Sequence, residues 1–290
     1  MAMGEHKRIA VILPVGPKDV EAALDTLDSA LFYLDKSLIV VAVDNTGPRT
    51  GFAKHAEKLS PDIVVLPAPP RAPGADGGLW VKLASGYRWL LARYEPEMIL
   101  RLDADALIIG AGIEELAAQE FAKNHKTGLL GSYRVCPDGT LRDWSWAARQ
   151  IRTEAGVRGL RYPARRARLR EFVALARQNA YTDGEHALGG SYIHSFRAAN
   201  TIYAKGWFRE TSFATSKLGE DHIMGLVTVA AGYRIADFGG PENPMALEWK
   251  HLPDHPDKLL ANGKLITHSV RTWEYLREPE IRGIFRAART

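Results

Sequence analysis

Residues 98–109, MILRLDADALII, constrain the fold more than any other stretch: a strand-length apolar run ends in two carboxylates one residue apart, then turns apolar again. A continuous apolar run bounded in this way is what a parallel strand covered on both faces looks like. Sheets of that kind bind ligands at the carboxyl ends of their strands, which is where Asp103 and Asp105 fall. Three more runs repeat the pattern, at 8–15 (RIAVILPV), 38–43 (LIVVAV) and 63–66 (IVVL). Between the first two, Val20, Ala23, Leu24, Leu27, Leu31 and Leu34 recur at helical spacing behind Asp19, the expected N-cap. Residues 67–78 (PAPPRAPGADGG) carry too much proline and glycine for anything but a loop, and 79–94 reads as a helix leading into the acidic strand. Strands alternating with helices imply an α/β fold with a mostly parallel sheet and right-handed crossovers. Pro14 and Val15, Asp44 and Asn45, and Asp103 with Asp105 then end neighbouring strands on one edge, so one crevice can gather them.

A chain of 290 residues can bury a large core as one large domain or two closely joined ones. Its single cysteine, Cys136, excludes an internal disulfide and suits a reducing compartment. With no apolar stretch of membrane-spanning length and no secretory leader, the expectation is a soluble, cytoplasmic protein. Net charge is only +4, so a basic surface must be local to matter. Arginines crowd residues 142–177, where Leu169, Phe172, Val173, Leu175 and Ala176 mark a helix; its arginines are expected on a solvated face. That region leaves peripheral membrane contact open, but it matches no nucleic-acid-binding module, and none is expected as a partner. Trp144 and Trp146 share a face if their segment is a strand, as a sugar-stacking platform or as core. Farther on, residues 223–230 continue a helix and 232–236 a strand. His251, Asp254 and His255 sit close together in a loop of the kind that collects such residues without a metal. Residues 273–290 read as a basic helix packed on the domain or used in self-association.

Taken in order, strand-Pro, Val43-Asp44-Asn45, a Gly-rich loop and helix, and Leu102-Asp103-Ala104-Asp105 resemble the nucleotide-sugar-binding half of GT-A fold glycosyltransferases, especially the family 2 type. The second half continues the resemblance. Gly189-Gly190-Ser191-Tyr192-Ile193 is similar to that family's Gly-Gly-x-Tyr strand near the donor sugar, Leu218-Gly219-Glu220-Asp221-His222 to its Glu-Asp helix start, and Thr267-His268-Ser269 to its late histidine. The resemblance spans roughly residues 8–270 and divides the continuous domain into a nucleotide-sugar half (1–135), a basic helical insertion (136–180), an acceptor and catalytic half (181–270) and a helical tail (271–290).

A nucleotide-diphosphate sugar carries charge that must be neutralised as its glycosidic bond breaks, and a divalent ion held by carboxylates does this as a Lewis acid. Mg2+ or Mn2+ accepts oxygen ligands and leaves positions for phosphate, so Asp103 and Asp105 serve if a third ligand arrives. His268 is the candidate, and its nitrogen tilts the preference toward Mn2+. The resemblance implies that Asp44 contacts the nucleobase or ribose, that Lys82 meets the diphosphate, and that Ala104, Gly189 and Gly190 lie along the donor. It also implies an inverting hexosyl transfer to a hydroxyl acceptor, with Asp221 as general base and Glu220 orienting the site or binding acceptor. The competing readings are a haloacid-dehalogenase-like phosphatase, a sugar nucleotidyltransferase and a non-catalytic sugar-nucleotide-binding scaffold. The first places Asp-x-Asp near the chain start and follows it with x-Thr or x-Val, whereas Ala106-Leu107 follows here. The second needs a Gly-rich loop after the first strand, where only Val15-Gly16-Pro17-Lys18 stands.

Overall fold

The computed structural model describes residues 5–70 and 76–289, so part of the Gly/Pro-rich loop at 67–78 lies outside the described residues. In chain order the elements are β1 (Glu5–Val15), α1 (Val20–Tyr33), β2 (Leu38–Asp44), α2 (Phe52–Leu59), β3 (Ile63–Pro67), α3 (Gly77–Leu91), β4 (Tyr94–Leu102), β5 (Ala106–Ile108), α4 (Ile113–Lys123) and β6 (Thr127–Gly131). They continue with α5 (Ser145–Ala155), α6 (Pro163–Arg177), β7 (Ser191–Ser195), α7 (Phe196–Ala204), α8 (Glu220–Ala230) and β8 (Arg234–Asp237). The last are β9 (Met245–Leu247), α9 (Pro256–Ala261), β10 (Ile266–His268), β11 (Thr272–Trp273), β12 (Leu276–Arg277) and α10 (Glu278–Ala287).

One seven-stranded sheet, ordered β3-β2-β1-β4-β7-β6-β8, runs through both halves of the chain. β1 pairs in parallel with β2 and β4, β2 with β3, and β6 with β8, while β7 alone runs antiparallel to its neighbours β4 and β6. Alternate residues of each strand face opposite layers. Ile9, Val11 and Leu13 of β1 pack with Ala23 and Leu27 of α1 and Ala117 of α4. Ala10 and Ile12 face the other layer, with Trp80 and Leu83 of α3, Phe172 of α6, Ala199 and Ile202 of α7 and Met224 of α8. Both faces are therefore covered, which is why these strands read as unbroken apolar runs.

Several expectations need correction. The helix before the acidic strand starts at Gly77 and stops at Leu91, and Tyr94 already belongs to β4. A glycine is required at 77, because a Cβ there would sit 1.8 Å from the Phe213 carbonyl oxygen. Trp144 and Trp146 are not on a strand: Trp144 caps α5 and stacks on Tyr133 at 5.2 Å, whereas Trp146 lies in the first turn of α5 and is exposed. The arginine face of α6 is only partly solvated, since Arg165 is buried and pairs with Glu154 of α5 at 3.1 Å. The tail is helical only from Glu278, after the β11–β12 ribbon, and α10 packs Ile281 and Phe285 into a small third core with Leu107 and Val270.

Candidate active site

The parallel register brings Val15 level with Asp44 and places the ends of β1, β2 and β4 side by side. A crevice of about 410 Å³ opens there, lined by Pro14, Val15, Gly16, Asn45, Lys82, Asp103, Ala104, Asp105 and Arg271. Asn45 lines the crevice, and Asp44 before it accepts from the Thr46 backbone N–H with one carboxylate oxygen at 2.7 Å. Lys82 is buried on α3, and burial lowers its pKa.

The two aspartates sit on a turn closed by the Ala106 N–H on the Asp103 carbonyl at 3.1 Å. Beyond it, the second apolar run becomes β5 and pairs antiparallel with β10, setting His268 opposite Ala106. This register delivers a histidine from the far end of the chain to the acidic turn. The His268 ring presents Nε2 at 3.3 Å from Asp105 Oδ1 and 4.0 Å from Asp103 Oδ2, while Nδ1 donates to the Glu248 carbonyl at 2.7 Å. A histidine whose Nδ1–H is committed to a carbonyl turns its other nitrogen outward as a ligand, the arrangement found behind metal-bound imidazoles. The ligand atoms of Asp103, Asp105 and His268 all lie within 4.8 Å of one another. Two carboxylates and one imidazole nitrogen converging at the sheet edge fit Mn2+ or Mg2+.

The charges answer one another. Burial pushes the Asp105 carboxyl upward, but His268, Ser269 Oγ at 2.7 Å and Arg271 Nε at 3.1 Å outweigh it and hold Asp105 well below the usual carboxylate range. Asp103 is raised, because its burial exceeds the help it receives from Arg101. Burial lowers His268, yet the two aspartates together raise it above its ordinary value. Arg271, which sequence reasoning missed, also reaches Asp19 at 2.8 Å and Glu278 at 3.0 Å, so Asp19 serves as an ion-pair partner where a cap was expected.

Arg101 was also missed, although one charge inside an apolar strand was its signal. Its guanidinium is fully buried and bridges Asp103 Oδ1 at 2.8 Å and Glu220 Oε1 at 2.7 Å. Glu220 is 2 % exposed, accepts from Tyr192 Oη at 2.8 Å, and is pushed by burial up to about 7 despite Arg101. It is enclosed against Arg101 and Tyr192.

Asp221 occupies the first turn of α8. Its Oδ2 accepts from the Gly189 N–H at 3.0 Å, and its Oδ1 accepts from the His222 backbone N–H at 2.9 Å and stands 2.7 Å from His222 Nδ1. The opposite side of the same dipeptide meets the acidic turn: the Gly190 carbonyl accepts from the Asp103 N–H at 2.8 Å, and the His268 ring packs on the Gly190 Cα. Gly189-Gly190 thus separates two clusters, Asp103/Asp105/His268 and His186/Asp221/His222, by the width of two residues. The latter also falls within 4.8 Å. The loop trio His251, Asp254 and His255 forms no such group among the described residues.

No protein-family model matches the chain, and no curated protein does so significantly. Solved structures do resemble it. One is the mannosyltransferase PcManGT of Pyrobaculum calidifontis in complex with GDP-mannose and Mn2+, 16% identical over 81% of this chain and 55% of that one, with a TM-score of 0.45. Another is the bifunctional glycosyltransferase WbbM, 12% identical over 98% of this chain and 50% of that one, with a TM-score of 0.52. A third is the galactosyltransferase LgtC in complex with donor and acceptor sugar analogues, 11% identical over 97% and 95%, with a TM-score of 0.50. The chain spans about half the length of the first two. No helix among the described residues is long and apolar enough to cross a membrane. At such low identity the likeness is one of fold: the chain has the GT-A arrangement, a mostly parallel sheet flanked by helices.

Proposed function

We propose that this protein transfers a hexosyl group from a nucleotide-diphosphate sugar to a hydroxyl acceptor, with a divalent ion held by Asp103, Asp105 and His268. The observation that carries this reading is the convergence of those three ligand atoms at the sheet edge, beside a crevice also lined by Lys82 and Arg271. The motif order that resembles family 2 enzymes supports it. When bound, the ion supplies Lewis acidity toward the departing diphosphate. The chain's own residues do the rest. Lys82 and Arg271 offer positive charge to phosphate oxygens. Asn45 and the Pro14–Val15 strand end line the nucleoside side. Across Gly189-Gly190, the Asp221 cluster provides the proton-accepting side that an inverting displacement needs.

The test is Mn2+ binding followed by electron paramagnetic resonance, with calorimetry on a panel of UDP-, GDP- and dTDP-hexoses. Wild type binds one Mn2+ and one nucleotide sugar, and Asp105→Asn loses both. If the wild type binds no nucleotide sugar with either ion, the reading is wrong; donor binding with neither transfer nor donor hydrolysis would favour the scaffold.

A further inference from the structure

The cluster beyond Gly189-Gly190 differs in chemistry from the acidic turn. It holds two imidazoles and one carboxylate, those of His186, His222 and Asp221, with ligand atoms within 4.8 Å of one another. The Gly184 carbonyl can only accept, so His186 Nδ1 donates to it at 2.8 Å, and in the neutral ring Nε2 keeps the lone pair. That nitrogen stops 3.8 Å from Asp221 Oδ2, beyond hydrogen-bonding distance. His222 Nδ1 is buried and comes within 2.7 Å of Asp221 Oδ1, yet it makes no hydrogen bond there or elsewhere among the described residues. A nitrogen and a carboxylate oxygen that close without acting as donor and acceptor are disposed as two ligands of one ion are. Asp221 has capacity to spare: each oxygen accepts one backbone N–H, from Gly189 at 3.0 Å and from His222 at 2.9 Å, and keeps a second lone pair.

We propose that His186 Nε2, His222 Nδ1 and the Asp221 carboxylate form a second metal site, one that takes Zn2+. Imidazole nitrogen suits Zn2+, and two histidines with one carboxylate leave a fourth position for water. The oxygen-rich set of Asp103, Asp105 and His268 favours Mn2+ or Mg2+, so the two sites sort ions by ligand type. Ligand atoms about 2.0–2.2 Å from a tetrahedral Zn2+ stand roughly 3.3–3.6 Å apart. The 2.7 and 3.8 Å separations straddle that spacing, so small side-chain shifts suffice. His186 already has the support found behind metal-bound imidazoles, its Nδ1–H on a carbonyl. Zn2+ binding needs neither sugar donor nor acceptor, so the site stands apart from the transferase reading. A carboxylate held by Zn2+ is a poor proton acceptor; if Asp221 also serves transfer, the filled site is the idle form.

Glycines make room for the cluster. A Cβ on Gly219 would stand 2.5 Å from Asp221 Oδ1 and 2.9 Å from His222 Nδ1, the two atoms that meet. The backbone there, with φ −63 and ψ 164, suits any residue, so space alone asks for glycine at 219. A Cβ on Gly189 would stand 3.2 Å from Asp221 Oδ2, and one on Gly225 of α8 would stand 3.1 Å from His186 Cα and Cβ. The side chains of Asp221 and His222 are each 14% exposed and that of His186 9%, so the cluster is enclosed yet reaches solvent.

Zinc calorimetry on the metal-free full chain tests the site, in a His268→Gln background so that the acidic turn offers oxygen alone. That protein binds one equivalent of Zn2+. Adding His186→Gln or His222→Gln weakens binding by more than the roughly 10–100-fold that losing a ligand's support costs. Gly219→Ala keeps all three ligands and a permitted backbone, so the metal-free melt stays unchanged while Zn2+ affinity falls about tenfold or more. Zn2+ also raises the melting temperature of the background protein and leaves that of its His222→Gln form where it was. In ¹⁵N spectra of histidine-labelled protein, the His186 Nε2 and His222 Nδ1 signals, assigned with the two variants, move when Zn2+ is added. The proposal is overturned by a background protein that binds no Zn2+, and equally by Zn2+ binding that both His222→Gln and Gly219→Ala leave unchanged.

Discussion

Gly190→Ala tests the proposed ion site through a residue that ligates nothing. Gly190 has φ +93, and a Cβ built there would lie 2.5 Å from His268 Cγ, 2.6 Å from Nδ1 and 2.8 Å from Cδ2. Non-bonded atoms of this kind rest at roughly 3.5–4.0 Å, so the ring must retreat by about 1 Å. It has nowhere to go without loss: β10 is paired on both sides, and Nδ1 is tied to the Glu248 carbonyl at 2.7 Å. Displacing the supports of a ligating histidine costs about 10–100-fold in metal affinity. The backbone adds a separate cost of about 1–3 kcal/mol for a side chain in this conformation. Gly232→Ala separates the two effects, because Gly232 has the same φ of +93 and nothing within 4 Å of its would-be Cβ. Both variants should lose that much stability in denaturant melts. Only Gly190→Ala should lose Mn2+ affinity, read by calorimetry or by the free-ion resonance signal. Equal Mn2+ affinity in the two variants would refute the claim that the His268 ring is held at the ion site by the absence of a side chain at 190.

Arg101→Met should destabilise the fold by about 3–5 kcal/mol, because Glu220 is left buried, and Asp103 half-buried, without their shared partner; chemical denaturation reads it, and the loss should shrink in acid as Glu220 takes up a proton. Arg271→Gln should raise the KM for the nucleotide sugar about tenfold or more while the melt stays within 1 kcal/mol, since this half-exposed fork contributes more to phosphate than to folding. His186 and His194 are buried neutral, with burial lowering them to about 4 and about 3. The unfolded chain therefore binds more protons below about pH 6.5, and stability should fall by about 2 kcal/mol per histidine between pH 6.5 and 5, with a smaller loss in His194→Gln.

The frame was legible because both-face burial writes itself as unbroken apolar runs, and β1, β2, β3 and the end of β4 appear where those runs are. Asp103, Asp105 and His268 were legible as chemistry, but their meeting depends on the β5–β10 register, and three-residue strands leave no pattern in a sequence. Asp44 and Glu220 show the opposite case. Each is an acid in an expected place, yet one folds back onto its own turn and the other is enclosed with Arg101 and Tyr192. Partner geometry decides this, and composition does not carry it. The shared face of Trp144 and Trp146 hung on their segment being a strand, and aromatic alternation over three residues looks the same in a strand as in a helix start.

The last helix reaches back to the acidic turn. Arg282 of α10 pairs with Asp25 of α1 at 2.8 Å and donates to the carbonyl of Ala104, between the two aspartates, at 2.7 Å. Thr26 of α1 shares its hydroxyl with the same carbonyl at 2.9 Å and with that of Ala106 at 2.8 Å. During synthesis, every acid of the crevice emerges well before the residue that clamps their backbone. A ribosome-bound chain that has not yet made Arg282 therefore lacks that clamp, and the Ala104 carbonyl is held by Thr26.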